Sequence, residues 1–370
     1  KQKTAYEISL GLVGSEMCIR DRHYMNIGIF SRWNATCGIS THAELLGFEF
    51  IKMGHSLKVF APYIETANKW WHHKIIRNSE EDFVVRCYSE LDPETLSGGW
   101  IDEDKILPER FDLFIVESYV SIPYKHVEKI VEKVKEKGAK VIVVVHEGKR
   151  EDLQYSNLSI FDAIVVFDER YLKEMLYDYK DRVSIIPFPC HPVKGSQRKF
   201  AEDVLTFFSF GRQPINEYED YINALDRLHS KYDFVYKIVR SDGLLPYDKP
   251  WLKQEHMRLR TEKVYEHLHS SDIHLLPKGK TSYVVVSSTL FQCLGSLVPT
   301  VVPNTRHFEA LPDEKPVVIY DNVEDLKMKL ELLIEDEGFR NKVIKAAEKY
   351  VRENESEKIA RRFIDLYRSL

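Results

Sequence analysis

Short apolar runs alternate with amphipathic stretches along almost the whole chain. NIGIFS (26–31) reads as a buried strand, followed by a loop containing Gly38 and an amphipathic helix over about 40–53. SLKVFA (56–61), LFIVE (113–117), KVIVVV (140–145), AIVVF (163–167) and VSIIP (183–187) continue the series. These β-branched runs lack polar alternation, as expected of parallel strands covered on both faces. Helical periodicity at about 122–137 and 169–179 separates several of them. Units of this kind predict right-handed βαβ crossovers and a doubly wound α/β sheet.

A stretch over 188–203 with Pro189, Pro192 and Gly195 reads as a linker. A second series follows: VLTFFSF (204–210), a helix near 217–230, FVYKIVR (234–240), a helix near 258–270 and IHLL (273–276). It continues with VVV (284–286), a short helix from about Ser288, PTVV (299–302) and VVIY (317–320). Helical patterns at 324–335, 338–352 and 355–369 close the chain. The pattern thus predicts two successive open α/β domains of similar size.

The first residues, KQKTAYEISLGLVGSEMCIRDR (1–22), carry neither period and lack the apolar centre of a signal peptide. They resemble translated sequencing-adapter read-through, so 1–24 is set aside as a non-native leader and Met25 is read as the start. A genuine N-terminal extension is the alternative.

Composition narrows the class. The chain has 370 residues, with 53 basic against 58 acidic and a net charge of −5. No basic excess supplies affinity for nucleic acid, so nucleic acid is not an expected partner. No run of about 18 apolar residues predicts a membrane span. Five scattered cysteines without a Cys-x-x-Cys argue against a disulfide framework or a structural zinc site. A cytoplasmic protein is expected, with contact at the inner membrane face left open.

Doubly wound sheets bind ligands at the carboxyl ends of their strands. The loop after NIGIFS holds Asn34, Cys37, Gly38, Ser40, Thr41 and His42. Gly38 opens a helix whose free N–H groups can receive an anion; ordinary capping by Ser40 is the equal alternative. His146 follows VIVVV directly and is either a hydrogen-bonded core residue or an active-site group. His42 and His146 are the expected reaction-face residues of the first domain, with His146 favoured as a hydrogen-bond donor to the substrate.

In the second half, Gly211-Arg212 follows the first strand, where a guanidinium can grip phosphate through paired hydrogen bonds. Lys278 and Lys280 precede Ser287, Ser288 and Thr289 at a helix start, a combination that suits a diphosphate. The competing readings are an arginine paired with a surface acid, and a capped helix with solvated lysines. Gly279-Lys280-Thr281 mimics the tail of a P-loop, but His274 stands where its first glycine belongs. There is no G-x-G-x-x-G, and His72-His73 beside Trp70-Trp71 lacks the further spacing a metal site needs.

MNIGIFSRWNATCGISTHAELLGFEFIKMGHSLKVFAP (25–62) resembles the opening of retaining GT-B glycosyltransferases of the family-four type. FFSFGRQPINEYEDYINAL (207–225) resembles the opening of their second domain. YEHLHSSDIHLLPK (265–278) and FQCLGSLVPTVVPNTRHFEAL (291–311) resemble their donor-site region. The resemblance implies a GT-B fold: an acceptor-side Rossmann-like domain at 25–195, a nucleotide-sugar domain at 196–352, and a helix at 353–370 returning to the first. It implies transfer of a sugar from a nucleotide-diphosphate sugar to an unknown acceptor, with retention and without metal or cofactor. The expected donor set is Gly38, Arg212, Lys278, Lys280, Ser287, Ser288, Thr289 and Gln292.

Departures are informative. Val284 and Gln292 stand where the family usually has two glutamates, Leu297 where it has a glycine, and Glu217 where it has a lysine. A Gln292 amide oxygen can still accept from ribose hydroxyls. A non-catalytic GT-B binding protein and a GT-B sugar-nucleotide epimerase remain alternatives, the latter lacking a recognisable carboxylate pair.

Overall fold

The computed structural model describes residues 24–370; the leader reading lies, up to residue 23, outside them. The first sheet contains β1 (Asn26–Phe30), β2 (Ser56–Pro62), β3 (Val84–Ser89), β4 (Trp100–Ile101), β5 (Leu113–Ser118), β6 (Lys140–Val145), β7 (Ala163–Val166) and β8 (Val183–Ile185). Their order is β4-β3-β2-β1-β5-β6-β7-β8, and all pairs are parallel except β3 with β4. The second sheet contains β9 (Val204–Gly211), β10 (Asp233–Arg240), β11 (Leu252–His256), β12 (Ile273–Leu275), β13 (Thr300–Pro303) and β14 (Val318–Tyr320). Its order is β11-β10-β9-β12-β13-β14, parallel throughout.

Helices cover both sheets: α1 (Gly38–Lys52), α2 (Ile64–Ala67), α3 (Tyr124–Glu136), α4 (Glu169–Met175), α5 (Glu219–Leu228) and α6 (Thr261–His269). The remainder are α7 (Ser288–Cys293), α8 (Val323–Glu335), α9 (Glu337–Asn354) and α10 (Ser356–Ser369). Their burial follows from helical spacing. In α3, Tyr124, Val127, Ile130, Val131 and Val134 are buried, while its lysines line the opposite side. Every residue of β5 is buried, which explains its unbroken apolar run. Among the described residues, no helix is long and apolar enough to cross a membrane.

Strand order reverses between β1 and β5 and again between β9 and β12. Each reversal opens a crevice at the strands' carboxyl ends, so each sheet carries one natural ligand position. The chain crosses between the sheets twice, and the crossings are bonded together. Cys190 N donates to Asn354 O at 2.8 Å, and Ser356 N donates to Cys190 O at 2.9 Å. Beyond the second crossing α10 packs on α1, burying Ile359, Ala360 and Phe363 completely. Ser356 Oγ donates to Glu49 Oε1 at 3.1 Å.

The expected strand at VVV (284–286) does not form. Val284 N donates to Gly148 O at 3.1 Å, and Arg170 Nη2 donates to Val285 O at 3.0 Å. The segment's backbone is thus tied to the first domain, not to a sheet. Three strands escaped the reading: β3 (VVRCYS) is partly exposed, β4 is only two residues long, and β11 (LKQEH) is an edge strand without an apolar run.

Candidate functional site

A cavity of about 360 Å³ lies between the two domains. Its first-domain wall includes Thr36, Cys37, Gly38, Thr41 and Trp71. Its second-domain wall includes Gly211, Arg212, Glu217, Lys278, Lys280, Ser288, Thr289, Gln292 and His307. The structure therefore brings seven of the eight expected donor residues to one cavity. The exception is Ser287, which is buried and accepts from Leu290 N at 3.3 Å as the cap of α7.

Two glycines make this arrangement possible. A Cβ on Gly38 would stand 2.9 Å from Ser288 Oγ, so only glycine lets the ends of α1 and α7 meet there. Gly211 has φ 126°, a conformation disfavoured for other residues, and turns the chain out of β9 just before Arg212.

The cavity carries poorly compensated positive charge. Arg212 Nη1 donates to Thr36 O and to Thr36 Oγ1 at 2.7 Å, and its guanidinium lies over the Trp71 ring, 5.3 Å from the centroid. Arg212 Nε is buried without a partner. Burial pulls the Arg212 pKa below its ordinary value. Burial also pushes Lys278 down to about 8, with Glu217 opposing and Arg212 reinforcing the shift. Glu217, the single acid among these wall residues, is itself raised by burial. Desolvated cations of this kind lower their energy by receiving an anion.

Gln292 Nε2 donates to Thr261 Oγ1 at 3.1 Å, which fixes the amide in the cavity wall. Val284, by contrast, is buried against the first domain. Leu297 has φ 60°, a left-handed conformation that accounts for a glycine at that place in the resembling family. The reading missed His307, which lies in the wall and is held neutral, its pKa pushed to about 3 by burial, Lys278 and Arg170. It follows β13, so the strand-end rule would have reached it had it been applied to PTVV.

The two histidines are placed differently from expectation. His42 is fully buried among Phe167, Phe188 and Phe363, so it does not line a reaction face. Its Nδ1 lies 2.6 Å from Glu117 Oε1, while His146 Nε2 lies 2.6 Å from Glu117 Oε2. His146 keeps only 9% of its side chain exposed and is not in the cavity wall. Burial would raise the Glu117 pKa, but the two imidazoles overcome it and hold the carboxyl at about 2. Among the described residues, His42, Glu117 and His146 form the one grouping whose ligand-type atoms all lie within 4.8 Å.

Next to it Glu147 accepts from Ser118 Oγ and from Tyr124 OH at 2.8 Å, while its Oε2 has no partner. Burial pushes this carboxyl up to about 7 against those hydrogen bonds.

No protein-family model matches the chain. Solved structures do resemble it. A glycosyltransferase from Rickettsia africae ESF-5 superposes with a TM-score of 0.65 at 14% identity, over 94% of this chain and 98% of that one. An alpha-glucosyltransferase in complex with UDP and a 13-mer DNA gives 0.63 at 14%, over 93% and 99%. A trehalose-6-phosphate synthase studied for glycosyltransfer with retention gives 0.61 at 11%, over 93% and 99%. The chain has the GT-B fold. In GT-B terms the cavity is the interdomain cleft, α10 is the helix that returns to the first domain, and the Arg212–Lys278 wall belongs to the second domain.

Proposed function

We propose that the protein is a glycosyltransferase that moves a sugar from a nucleotide-diphosphate sugar to an acceptor hydroxyl with retention of configuration. The observation that carries this reading is the convergence of Arg212 and Lys278 in one interdomain cavity, with a buried, unpartnered Arg212 Nε. A diphosphate satisfies both cations. Gln292 stands beside them, able to accept from a ribose hydroxyl through its amide oxygen.

The reaction needs little from the protein beyond placement and charge. The bond between the sugar C1 and the diphosphate oxygen breaks, and its electron pair leaves with the phosphate. The acceptor oxygen bonds to C1 from the same face and gives its proton to the departing phosphate. Arg212 and Lys278 stabilise the negative charge that develops, in a cleft where lowered dielectric strengthens them. Neither metal nor cofactor has a step in this scheme. The unfilled glutamate position at buried Val284 means that sugar recognition uses other groups than in the resembling family.

Loss of a charged hydrogen bond to phosphate costs about 1.5–3 kcal/mol, so Arg212→Ala weakens UDP binding roughly tenfold or more. Calorimetric titration with UDP measures this; an unchanged affinity in a folded variant removes Arg212 from the site. Turnover is tested separately with a panel of nucleotide sugars, and saturable binding without transfer or hydrolysis favours the non-catalytic alternative.

A further inference from the structure

Trp71 is 62% exposed, yet it stands in the wall of a charged cavity. Single exposed apolar residues are ordinary on protein surfaces, but this one is held in place. Its neighbour Trp70 is anchored by Nε1, which donates to Leu91 O at 2.9 Å. On the other side, Thr36 N donates to Lys74 O and Ile76 N to Asn34 O, both at 3.0 Å. Arg258 Nη1, from the second domain, donates to Ile75 O at 3.2 Å. The loop is thus fastened on both sides of an indole that it leaves uncovered. Such pre-organisation removes the ordering cost of binding.

We propose that Trp71 is the stacking platform for a saccharide acceptor. The proposal rests on the glycosyltransferase reading and names its acceptor class. Arg212 occupies one face of the ring, so the exposed face is the one available to a second ligand beside the diphosphate. A pyranose ring suits that position. Its C–H face packs on an indole, while its hydroxyls meet the polar wall at Thr36 and Thr41. On the glycosyltransferase reading the nucleotide is taken by Arg212, Lys278 and Gln292 of the second domain, which leaves the other face of the ring to the acceptor.

The test compares the full chain with its Trp71→Ala and Trp71→Phe variants. Methyl α-glycosides of glucose, galactose, mannose and N-acetylglucosamine are titrated calorimetrically in the presence of saturating UDP. The expected result is saturable binding of at least one glycoside, weakened roughly five- to tenfold by Trp71→Ala and less by Trp71→Phe, with a smaller fall in UDP affinity because Arg212 loses its contact with the ring. Glycoside binding that survives Trp71→Ala overturns the proposal, as does the absence of glycoside binding to a parent protein that binds UDP. A fall in UDP affinity as large as the fall in glycoside affinity overturns it too and makes Trp71 part of the donor site. Failure of the parent to bind any nucleotide would instead strike the glycosyltransferase reading.

Discussion

The strand ends of the two domains use the same topology for opposite purposes. In the first domain, the ends of β5 and β6 carry two carboxylates sealed inside the protein. Glu117 is matched by two imidazoles, and Glu147 by a serine and a tyrosine hydroxyl. In the second, the ends of β9 and β12 carry Arg212 and Lys278, which face a cavity with a single acid between them. One cluster is enclosed and bonded largely within itself, although Glu147 Oε2 and His42 Nε2 are left without partners. The other lines a cavity, with Arg212 Nη1 bonded to Thr36 and Arg212 Nε unpartnered. A titratable residue after a buried strand is therefore not a site by position alone; whether it borders a cavity is what separates these two clusters.

The sharpest way to break the first cluster is to remove Glu117. Glu117→Ala leaves two buried imidazoles without their acceptor and costs on the order of 3–5 kcal/mol, read by urea unfolding at pH 7. The pH dependence has a defined sign. The folded carboxyl titrates at about 2 against an ordinary 4.5, so its contribution is present above pH 4.5 and lost as pH falls toward 2.

Glu147 behaves in the opposite sense. Its folded pKa of about 7 lies above the ordinary 4.5, so the folded state holds more protons between those values and stability declines as pH rises through them. A shift of that size corresponds to on the order of 3 kcal/mol. Glu147→Gln keeps the acceptor oxygen and removes the charge, so its unfolding midpoint exceeds the parent's at pH 8 but not at pH 5. Equal midpoints at pH 8 would show that Glu147 is not penalised by its burial.

The smallest expected effect concerns the open cluster. The Lys278 ammonium, titrating at about 8, is progressively lost above that pH. On the glycosyltransferase reading, affinity for a nucleoside diphosphate such as UDP therefore drops by a few-fold between pH 7 and pH 9, and Lys278→Arg flattens the profile because arginine stays charged. A parent profile without slope would take Lys278 out of phosphate contact.

Much of the fold was readable from the sequence because burial on both faces leaves runs such as KVIVVV that no exposed segment sustains. The same logic failed at VVV (284–286), an apolar run buried by the other domain instead of by a sheet, and at LKQEH, a strand whose edge position needs no apolar residue. In the cavity wall, Gly38, Arg212 and Lys278 could be anticipated because strand ends and helix starts have recognisable chemistry, whereas Gln292 was reached only through the family resemblance. His42 could not be placed, since nothing local distinguishes a histidine facing a cleft from one enclosed by Phe167, Phe188 and Phe363. Trp71 was passed over for a related reason: its exposure depends on the anchoring of the residues around it.

The return of α10 to α1 bears on how the chain is made. Ile359, Ala360 and Phe363 complete the apolar core of the first domain, and Ser356 reaches Glu49 across 307 residues. Domains usually fold in turn as they leave the ribosome, the N-terminal one first. Here the domain carrying β1–β8 stays unfinished until α10 emerges. Until then α1 presents the surface later covered by α10, so a ribosome stalled before α10 leaves the first domain without part of its core.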